Sequence, residues 1–307
     1  MGTPAVVTPV LEALLDMGAQ VAGVYCQPDR PRGRGLEVEA PPVKRWAQAR
    51  GLPVFQPASL RRPDSQAHLA ALRPDVIVVA AYGRILPPEV LRLPPRGCLN
   101  LHPSLLPKYR GPAPVAAAIL HGDPVTGVTL MLMDEGMDTG PVLAQREEPV
   151  RPDDTTETLT ARLFRLGAAL LRETLPRWVR GEVVPKPQDD ARATVTKKIE
   201  KEDGEADFTR PAAVLERQLR AYTPWPGLYT RWRRQGLKLL EATPLLLPVE
   251  DGPGLVVALR EVGVPVGVVC GEGVLGLRRL QLEGRRPVSA QEFINGHRDF
   301  VGSRLPS

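Results

Sequence analysis

Apolar residues follow two alternating patterns over residues 1–182, and each pattern indicates one kind of element. Short runs rich in β-branched residues predict strands, and they occur at 21–26, 54–56, 76–81, 98–102, 127–133 and 142–150. Apolar residues spaced three or four positions apart predict helices between them, at 9–17, 43–50, 65–72, part of 84–93, 115–121 and 155–178. Because strands alternate with helices, we expect an α/β fold with a doubly wound, Rossmann-like and mostly parallel sheet.

The chain changes character after residue 182. Residues 183–207 begin, just after Gly181, with Pro185 and Pro187 and continue with mixed charge, which is typical of a linker. A helix is predicted at 210–221, and short apolar runs separated by glycine follow it, at 228–234, 237–247, 255–260, 264–269 and 273–282. Such short strands with a flanking helix suggest a small β-barrel. We therefore expect a first domain at 1–182, a linker at 183–207 and a barrel domain at 208–307.

Bulk composition is that of a globular protein, with 43% apolar and 24% charged residues in a chain of 307. No apolar stretch is long enough to span a bilayer, and the N-terminus lacks the basic and apolar segments of a secretory signal. The three cysteines, Cys26, Cys98 and Cys270, are odd in number and do not have metal-binding spacing. We expect a cytoplasmic protein with reduced cysteines and no bound metal.

Charge is distributed unevenly between the two predicted domains. Residues 1–207 contain 26 basic and 26 acidic side chains, whereas residues 208–307 contain 14 basic and 9 acidic ones. The net charge of +5 therefore belongs to the last hundred residues. An excess of this size fits a surface that faces a polyanion, and it fits an ordinary solubilising surface equally well.

Candidate chemistry is concentrated in two segments, CLNLHPSLLPKYRGPAP at 98–114 and MDEGMDTGP at 133–141. Alternate residues of a strand share a side, so Asn100 and His102 project together just before Pro103 ends the strand. The second segment follows the strand at 127–133 and carries Asp138. Ligands of open α/β sheets bind at the carboxyl ends of the strands. We expect two parallel strands to bring an amide, an imidazole and a carboxylate to one crevice.

These side-chain types suit the attack of an amine on an acyl carbon. Asn100 and His102 could stabilise the oxyanion that develops, while Asp138 could orient the imidazole or accept the amine proton. A purely structural explanation remains open at this point. In it, Asn100 caps the loop, His102 satisfies a backbone carbonyl and Asp138 forms an Asx-turn.

The amino-acid sequences of these two segments resemble the motif of a known family. The motif comprises Asn100-x-His102, Ser104-Leu-Leu-Pro107, Tyr109-Arg110-Gly111, Pro114 and Asp138-Thr139-Gly140. It is similar to the signature of the formyltransferases that use 10-formyltetrahydrofolate. Further matches cover nearly the whole chain and resemble the family members that act on methionyl-tRNA: Gly2-Thr3-Pro4, Gln27-Pro28-Asp29-Arg30-Pro31, Gly33-Arg34-Gly35, Ala81-Tyr82-Gly83, Ile85-Leu86-Pro87 and Arg220-Ala-Tyr222-x-Pro224-x-Pro226-Gly227.

The resemblance implies a monomeric enzyme that consumes 10-formyltetrahydrofolate and formylates initiator methionyl-tRNA, with an OB-like C-terminal domain that binds the tRNA. It implies three catalytic residues, which are Asn100, His102 and Asp138. It places folate beside two segments, formed by Ser104, Leu105, Leu106 and Pro107 and by Tyr82, Gly83, Ile85 and Leu86. It assigns tRNA contacts to the loop at 27–42, through Arg30, Arg32 and Arg34.

One departure from the family concerns the first strand. In relatives a hydrophobic strand precedes the Gly-Thr-Pro loop, whereas here Gly2 follows Met1 directly. The first strand of a doubly wound sheet is central, so its absence would leave backbone groups of its neighbours unpaired. We expect the native protein to begin several residues upstream.

Three other functions are compatible with parts of the sequence. A formyltransferase for a small amine, such as an amino sugar or a glycinamide nucleotide, would need neither the Arg34 loop nor a basic terminal domain. A hydrolase could use Ser104, His102 and Asp138, although Ser104 lies on a proline-flanked loop without a nucleophile elbow. A simple RNA-binding module is disfavoured because residues 1–207 are charge-neutral and carry the candidate crevice.

Overall fold

The computed structural model describes residues 1–32, 37–248, 251–261 and 263–307, without the side chains of Arg32, Glu37 and Glu261. Backbone contacts divide the chain into two units. The N-terminal unit comprises Met1–Pro114, Val125–Pro149 and Thr160–Thr196, and the C-terminal unit comprises Val115–Pro124, Val150–Leu159 and Lys197–Ser307. The borders predicted at residues 182 and 207 stay a prediction.

Every helix and strand predicted for the first domain is present. The α-helices and strands observed there are, in chain order, α1 Thr8–Asp16, β1 Val24–Tyr25, β2 Arg30–Arg32, β3 Glu37–Glu39, α2 Pro42–Gln48, β4 Val54–Phe55, α3 Pro63–Ala71, β5 Ile77–Val79, α4 Pro88–Leu91, β6 Cys98–His102, α5 Pro114–His121, β7 Val125–Leu132, β8 Val142–Pro149 and α6 Thr156–Val179. Strands β2 and β3 were not predicted. They form an antiparallel hairpin in the segment 27–42, which we expected to be a loop.

The main sheet of the N-terminal unit is mixed, so the prediction that the strands carrying the two candidate segments run parallel was wrong, while a mostly parallel, Rossmann-like topology stays a prediction. Its order is β5-β6-β7-β8. Strands β5 and β6 are parallel, but β7 is antiparallel to β6 and to β8. The sequence misled because a wholly apolar run reports that both faces of a strand are buried, and it carries no information on direction. Strand β7 is buried on both faces, yet it runs against its neighbour.

The first two residues join the sheet fragments of this unit through their backbone. The Met1 amino group donates to the Val78 carbonyl (2.6 Å), and the Ala80 N–H donates to the Met1 carbonyl (2.9 Å). On the other side, the Gly2 N–H donates to the Tyr25 carbonyl (2.9 Å). Met1 and Gly2 therefore hydrogen-bond to both β5 and β1.

An apolar cluster supports one side of strand β6. Leu99 and Leu101 are fully buried, and they belong to the same core cluster as Leu130 of β7 and Leu171 of α6. Each such side chain contributes about 1.5–3 kcal/mol relative to an exposed one. Residues 100 and 102 lie on the other side of β6 from these leucines, so the core fixes the strand that carries the candidate site.

The C-terminal unit is an antiparallel β-structure with helices. It contains α7 Ala212–Ala221, β9 Leu228–Trp232, β10 Gln235–Leu245, β11 Val256–Glu261, β12 Val264–Val269, β13 Val274–Leu282, β14 Val288–Ser289 and α8 Ala290–Gly296. The five predicted strands are confirmed, in the order β11-β12-β13-β10-β9. In the part of the chain that the structure describes, no ladder joins β11 to β9, so a closed barrel is not seen.

None of the helices in the described ranges is both long and apolar enough to cross a lipid bilayer.

Candidate active site

Strand β6 presents Asn100 and His102 on one side, as the alternation predicts. Pairing with β7 places Asn100 opposite Met131 and His102 opposite Thr129. His102 is the last residue of the strand and is only 4% exposed, while Asn100 is half-buried. The local sequence thus produces a polar pair near the carboxyl end of a buried strand.

Asp138 reaches the same place by a different route from the one we predicted. Because β7 is antiparallel, the loop after it starts beside Leu99, at the opposite end of β6 from His102. The loop folds back through a tight turn, in which Asp134 Oδ1 accepts hydrogen bonds from Thr139 Oγ1 (2.7 Å) and from the Gly136 N–H (3.1 Å). This turn brings Asp138 towards His102, so the convergence was predicted correctly and its geometry was not.

The three polar side chains meet around the Asp138 carboxylate, with contacts of 3.4 and 3.6 Å. Asp138 Oδ2 lies 3.6 Å from His102 Nδ1 and accepts the Gly111 N–H at 2.8 Å. Asn100 Nδ2 lies 3.4 Å from Asp138 Oδ1, a long contact. Asp138 thus faces the imidazole, the carboxamide and the backbone of the loop that follows β6.

The other nitrogen of His102 is committed to the backbone. His102 Nε2 lies 2.9 Å from the Tyr109 carbonyl oxygen, which can only accept, so Nε2 carries the proton and Nδ1 is left bare towards Asp138. Burial lowers the pKa of His102 and outweighs the opposing influences of Asp138 and the Tyr109 carbonyl. The imidazole is therefore neutral near pH 7. The structural alternative, in which His102 satisfies a carbonyl, describes one of its two nitrogens.

The segment Ser104–Pro107 is held rigidly by its own polar groups. Ser104 is fully buried, and its hydroxyl donates to the Lys108 carbonyl at 2.6 Å. The Leu106 N–H donates to Thr129 Oγ1 (3.1 Å), and the Leu106 carbonyl accepts from Gln145 Nε2 (2.8 Å). The structure argues against the hydrolase hypothesis here, because the Ser104 hydroxyl is fully buried and donates to a backbone carbonyl.

The second predicted folate segment borders an open cleft. Tyr82 is buried in a core cluster, and its carbonyl accepts from Thr3 Oγ1 (3.1 Å) and Gln27 Nε2 (3.0 Å). Gly83 has a φ of 77°, in the left-handed region. Ile85 projects into solvent with 74% of its surface exposed. The cleft measures about 530 Å³ and is lined by Arg61, Gln66, Ile85, Leu86, Pro87, Pro88, Glu89 and Glu135.

Two of the predicted tRNA contacts, Arg30 and Arg32, lie on strand β2 of the hairpin. Arg30 is exposed, and its guanidinium donates to Gln27 Oε1 at 3.3 Å. Arg32 lies on β2, but its side chain is outside the described residues, as is the whole of Arg34.

Sequence reasoning missed the polar residues that hold the two candidate segments in place. Thr129 is fully buried, and its hydroxyl donates to the Ser104 carbonyl at 2.7 Å. A threonine within an otherwise apolar strand was a usable signal for such a role. Gln188 donates to the carbonyls of Asp138 (2.8 Å) and Gly140 (2.7 Å). It comes from the predicted linker, and nothing in the local sequence indicates this contact.

Among the described residues, no three His, Cys, Asp or Glu side chains are grouped as a metal site requires. Cys26, Cys98 and Cys270 are free and buried, and burial raises the pKa of the Cys98 thiol to about 12.

Solved structures that resemble this chain share its fold at low identity. HypX from Aquifex aeolicus in complex with tetrahydrofolic acid is 22% identical with a TM-score of 0.61, covering 91% of this chain and 48% of that one. The N-formyltransferase from Helicobacter canadensis, in a complex with folinic acid and dTDP-3-aminofucose, is 17% identical with a TM-score of 0.66 and covers 90% and 97%.

Sequence comparisons are more specific. Residues 1–175 match the formyl transferase family model, and residues 198–298 match the formyl transferase C-terminal domain. The methionyl-tRNA formyltransferase of Chloroflexus aggregans is 50% identical over 296 residues, which is 96% of each chain. The methionyl-tRNA formyltransferase of Myxococcus xanthus is 48% identical, over 99% of this chain and 96% of its own. The chain therefore belongs to the formyl transferase family, and within it to the methionyl-tRNA formyltransferases.

Proposed function

We propose that this enzyme transfers the formyl group of 10-formyltetrahydrofolate to the α-amino group of initiator methionyl-tRNA, giving N-formylmethionyl-tRNA for translation initiation. The observation that carries the proposal is the meeting of Asn100, His102 and Asp138 within 3.6 Å contacts at one end of β6. Relatives about half identical over nearly the full chain bear the name of this activity. One chain supplies the whole cluster, which supports a monomeric enzyme, and free cysteines support a cytoplasmic one.

The bare Nδ1 of His102 and the carboxylate of Asp138 form the proton acceptor. Two acceptors face each other at 3.6 Å with no proton between them, so together they can take up one proton. When the amine attacks the formyl carbon, a C–N bond forms and the nitrogen loses a proton to this pair. The proton then passes to N10 of tetrahydrofolate as the bond from N10 to the formyl carbon breaks.

Asn100 is the direct donor to the oxyanion. Its Nδ2 is only loosely engaged with Asp138 at 3.4 Å, so the amide can turn towards a developing negative charge. His102 supports the same charge by the positive charge that it gains with the amine proton. Both residues thus stabilise the oxyanion, Asn100 by a direct hydrogen bond and His102 by its positive charge.

The cleft beside Ile85 and Leu86 suits the pterin ring of the donor. Exposed apolar surface at Ile85 offers a wall against which a flat ring can pack. Because Glu135 also lines the cleft, the pterin would lie next to the loop that carries Asp138. Ser104–Pro107 forms a rigid edge for the donor, since its backbone is fixed by Thr129 and Gln145. Tyr82 and Gly83 precede Ile85 in the chain and begin the segment that borders the cleft.

Acceptor recognition falls to the hairpin and the C-terminal unit. Arg30, together with Arg32 and Arg34, would contact the acceptor end of the tRNA. The net positive charge of residues 208–307 supports a tRNA-facing surface on the C-terminal unit, which we interpret as OB-like. A small amine needs neither feature, and this favours methionyl-tRNA over an amino sugar.

The decisive experiment compares acceptors at a fixed concentration of 10-formyltetrahydrofolate. Initiator and elongator tRNAs, each charged with methionine, and a 3-amino sugar nucleotide would be offered in parallel, and the formylated product of each would be measured. We expect the highest kcat/KM for initiator methionyl-tRNA. Faster formylation of the amino sugar than of either tRNA would contradict the proposal.

A further inference from the structure

Gln188 connects the two halves of the candidate site with one side chain. Its Nε2 donates to the carbonyls of Asp138 (2.8 Å) and Gly140 (2.7 Å) on the loop after β7. Its Oε1 accepts from Arg110 Nε (3.1 Å) and from an Arg110 terminal nitrogen (2.9 Å) on the loop after β6. Both N–H groups and both oxygen lone pairs of the Gln188 amide therefore have partners. The two carbonyls and the guanidinium fix which side of the amide is the nitrogen and which is the oxygen.

Arg110 is itself fixed to the segment that carries Gln188. Its side chain is buried, with 7% of the residue exposed, and it also donates to Asp190 Oδ1 at 2.6 Å. The Arg110 N–H donates to the Thr194 carbonyl (2.8 Å), and the Thr196 N–H donates to the Arg110 carbonyl (2.8 Å). Residues 188–196 thus run as a strap along Tyr109–Gly111, which contributes both the carbonyl on His102 and the N–H on Asp138.

Asp138 needs such support because of its backbone. Its φ of 55° lies in the left-handed region, which is disfavoured for a residue other than glycine. Two contacts hold it there, the Gln188 amide on its carbonyl and the Gly111 N–H on its carboxylate. Loss of the first would let the loop relax and would change the separation between Asp138 Oδ2 and His102 Nδ1.

We propose that Gln188 is a positioning residue for formyl transfer, which ties the Asp138 loop to the Tyr109–Gly111 loop and so sets the distance between Asp138 and His102. The kinetic part of this inference depends on the proposed function. Gln188 touches no reacting group, and it acts through Asp138.

The test is Gln188→Glu, with Asp190→Asn as the matched control. Glutamate keeps the acceptor for Arg110 and replaces the donor to Asp138 and Gly140 by a second acceptor. A displacement of about 1 Å at a reacting group lowers rates up to about 100-fold, so we expect kcat to fall roughly 10–100-fold with the KM for tRNA nearly unchanged. Asp190 is 83% exposed and holds only Arg110, so its variant should stay within about twofold of the parent.

A second readout does not depend on substrates. The chain has four histidines, His68, His102, His121 and His297, so their ring resonances can be followed separately by NMR. In Gln188→Glu and in Gln188→Ala we expect the His102 resonances to move, while the other three keep their positions. Folded Gln188 variants with unmoved His102 resonances would overturn the proposal even if methionyl-tRNA proved not to be the acceptor. Unmoved resonances together with an unchanged kcat would mean that Gln188 is only a structural contact.

Discussion

The Asp138–His102 cluster and the hairpin β2–β3 belong to the same unit, yet they are built in opposite ways. In the cluster, His102 is 4% exposed and both of its nitrogens face a fixed partner. On the hairpin, Arg30 is exposed and contacts Gln27 at 3.3 Å, and Val38 is 69% exposed. One region is ordered by buried hydrogen bonds, and the other presents its side chains to solvent.

The difference between the two regions matches the role that we propose for each. A group that stabilises developing charge is most effective when it is already oriented and shielded from water. A group that grips a large, flexible polyanion gains from reach and long-range attraction. Substitutions in the cluster should therefore change kcat, whereas substitutions on the hairpin should change the KM for tRNA.

The largest effect is expected from His102→Gln. Glutamine can still donate to the Tyr109 carbonyl, but it cannot accept the amine proton, so kcat should fall about 1,000-fold. Single-turnover formylation with saturating tRNA and folate measures this loss, and a thermal melt checks that the variant folds. A folded variant that formylates at the parental rate would exclude His102 from the chemistry.

Asn100→Ala comes next. It removes the amide N–H proposed to face the oxyanion and leaves His102 and Asp138 intact, so kcat should fall about 100-fold to 1,000-fold. The KM values for both substrates should change little, because the donor is needed only in the transition state. A raised KM with an unchanged kcat would show instead that Asn100 binds the ground state.

Arg30→Ala should affect only the acceptor. We expect a rise of a few-fold in the KM for tRNA, an unchanged kcat and a salt dependence of binding that weakens by about one charge. Arg165→Ala, on the exposed face of α6, is the matched control and should behave like the parent. If both variants bind tRNA equally well, the hairpin is not a contact.

The smallest effect is on stability. Burial depresses the pKa of His102 below its ordinary 6.5, so the unfolded chain binds this proton more readily than the folded one. The free energy of unfolding is then fully retained above pH 6.5 and falls as the pH drops from there through the lowered pKa. Urea unfolding of the parent and of His102→Gln across about pH 5 to 8 isolates this contribution. The two proteins should converge at low pH, and parallel curves would contradict a neutral, buried His102.

Local sequence was sufficient to predict the element that carries the cluster. Alternation over 98–102 and the proline after it defined β6, and the period of two placed Asn100 and His102 on one side. The loop that brings Asp138 was recognised by its motif. In the C-terminal unit, α8 was missed although Ser289 and Glu292 form a capping box that the sequence displays.

What could not be predicted depends on contacts between distant segments. Gln188 lies 50 residues from Asp138 and 78 from Arg110 along the chain, and polar contacts over such separations leave no periodic pattern. The direction of β7 could not be predicted from the sequence either, because a strand that is buried on both faces can run parallel or antiparallel to its neighbour. Hairpin β2–β3 is short and rich in charge and proline, so it lacked the apolar alternation by which strands are recognised.

The most direct test of the central claim is a double-mutant cycle on the proton acceptor. kcat would be measured for His102→Gln, for Asp138→Asn and for the two changes together, on initiator methionyl-tRNA. If the imidazole and the carboxylate act as one acceptor, the double variant should be no slower than the slower single variant, within about threefold. A double variant whose loss equals the product of the two single losses would show that His102 and Asp138 act independently.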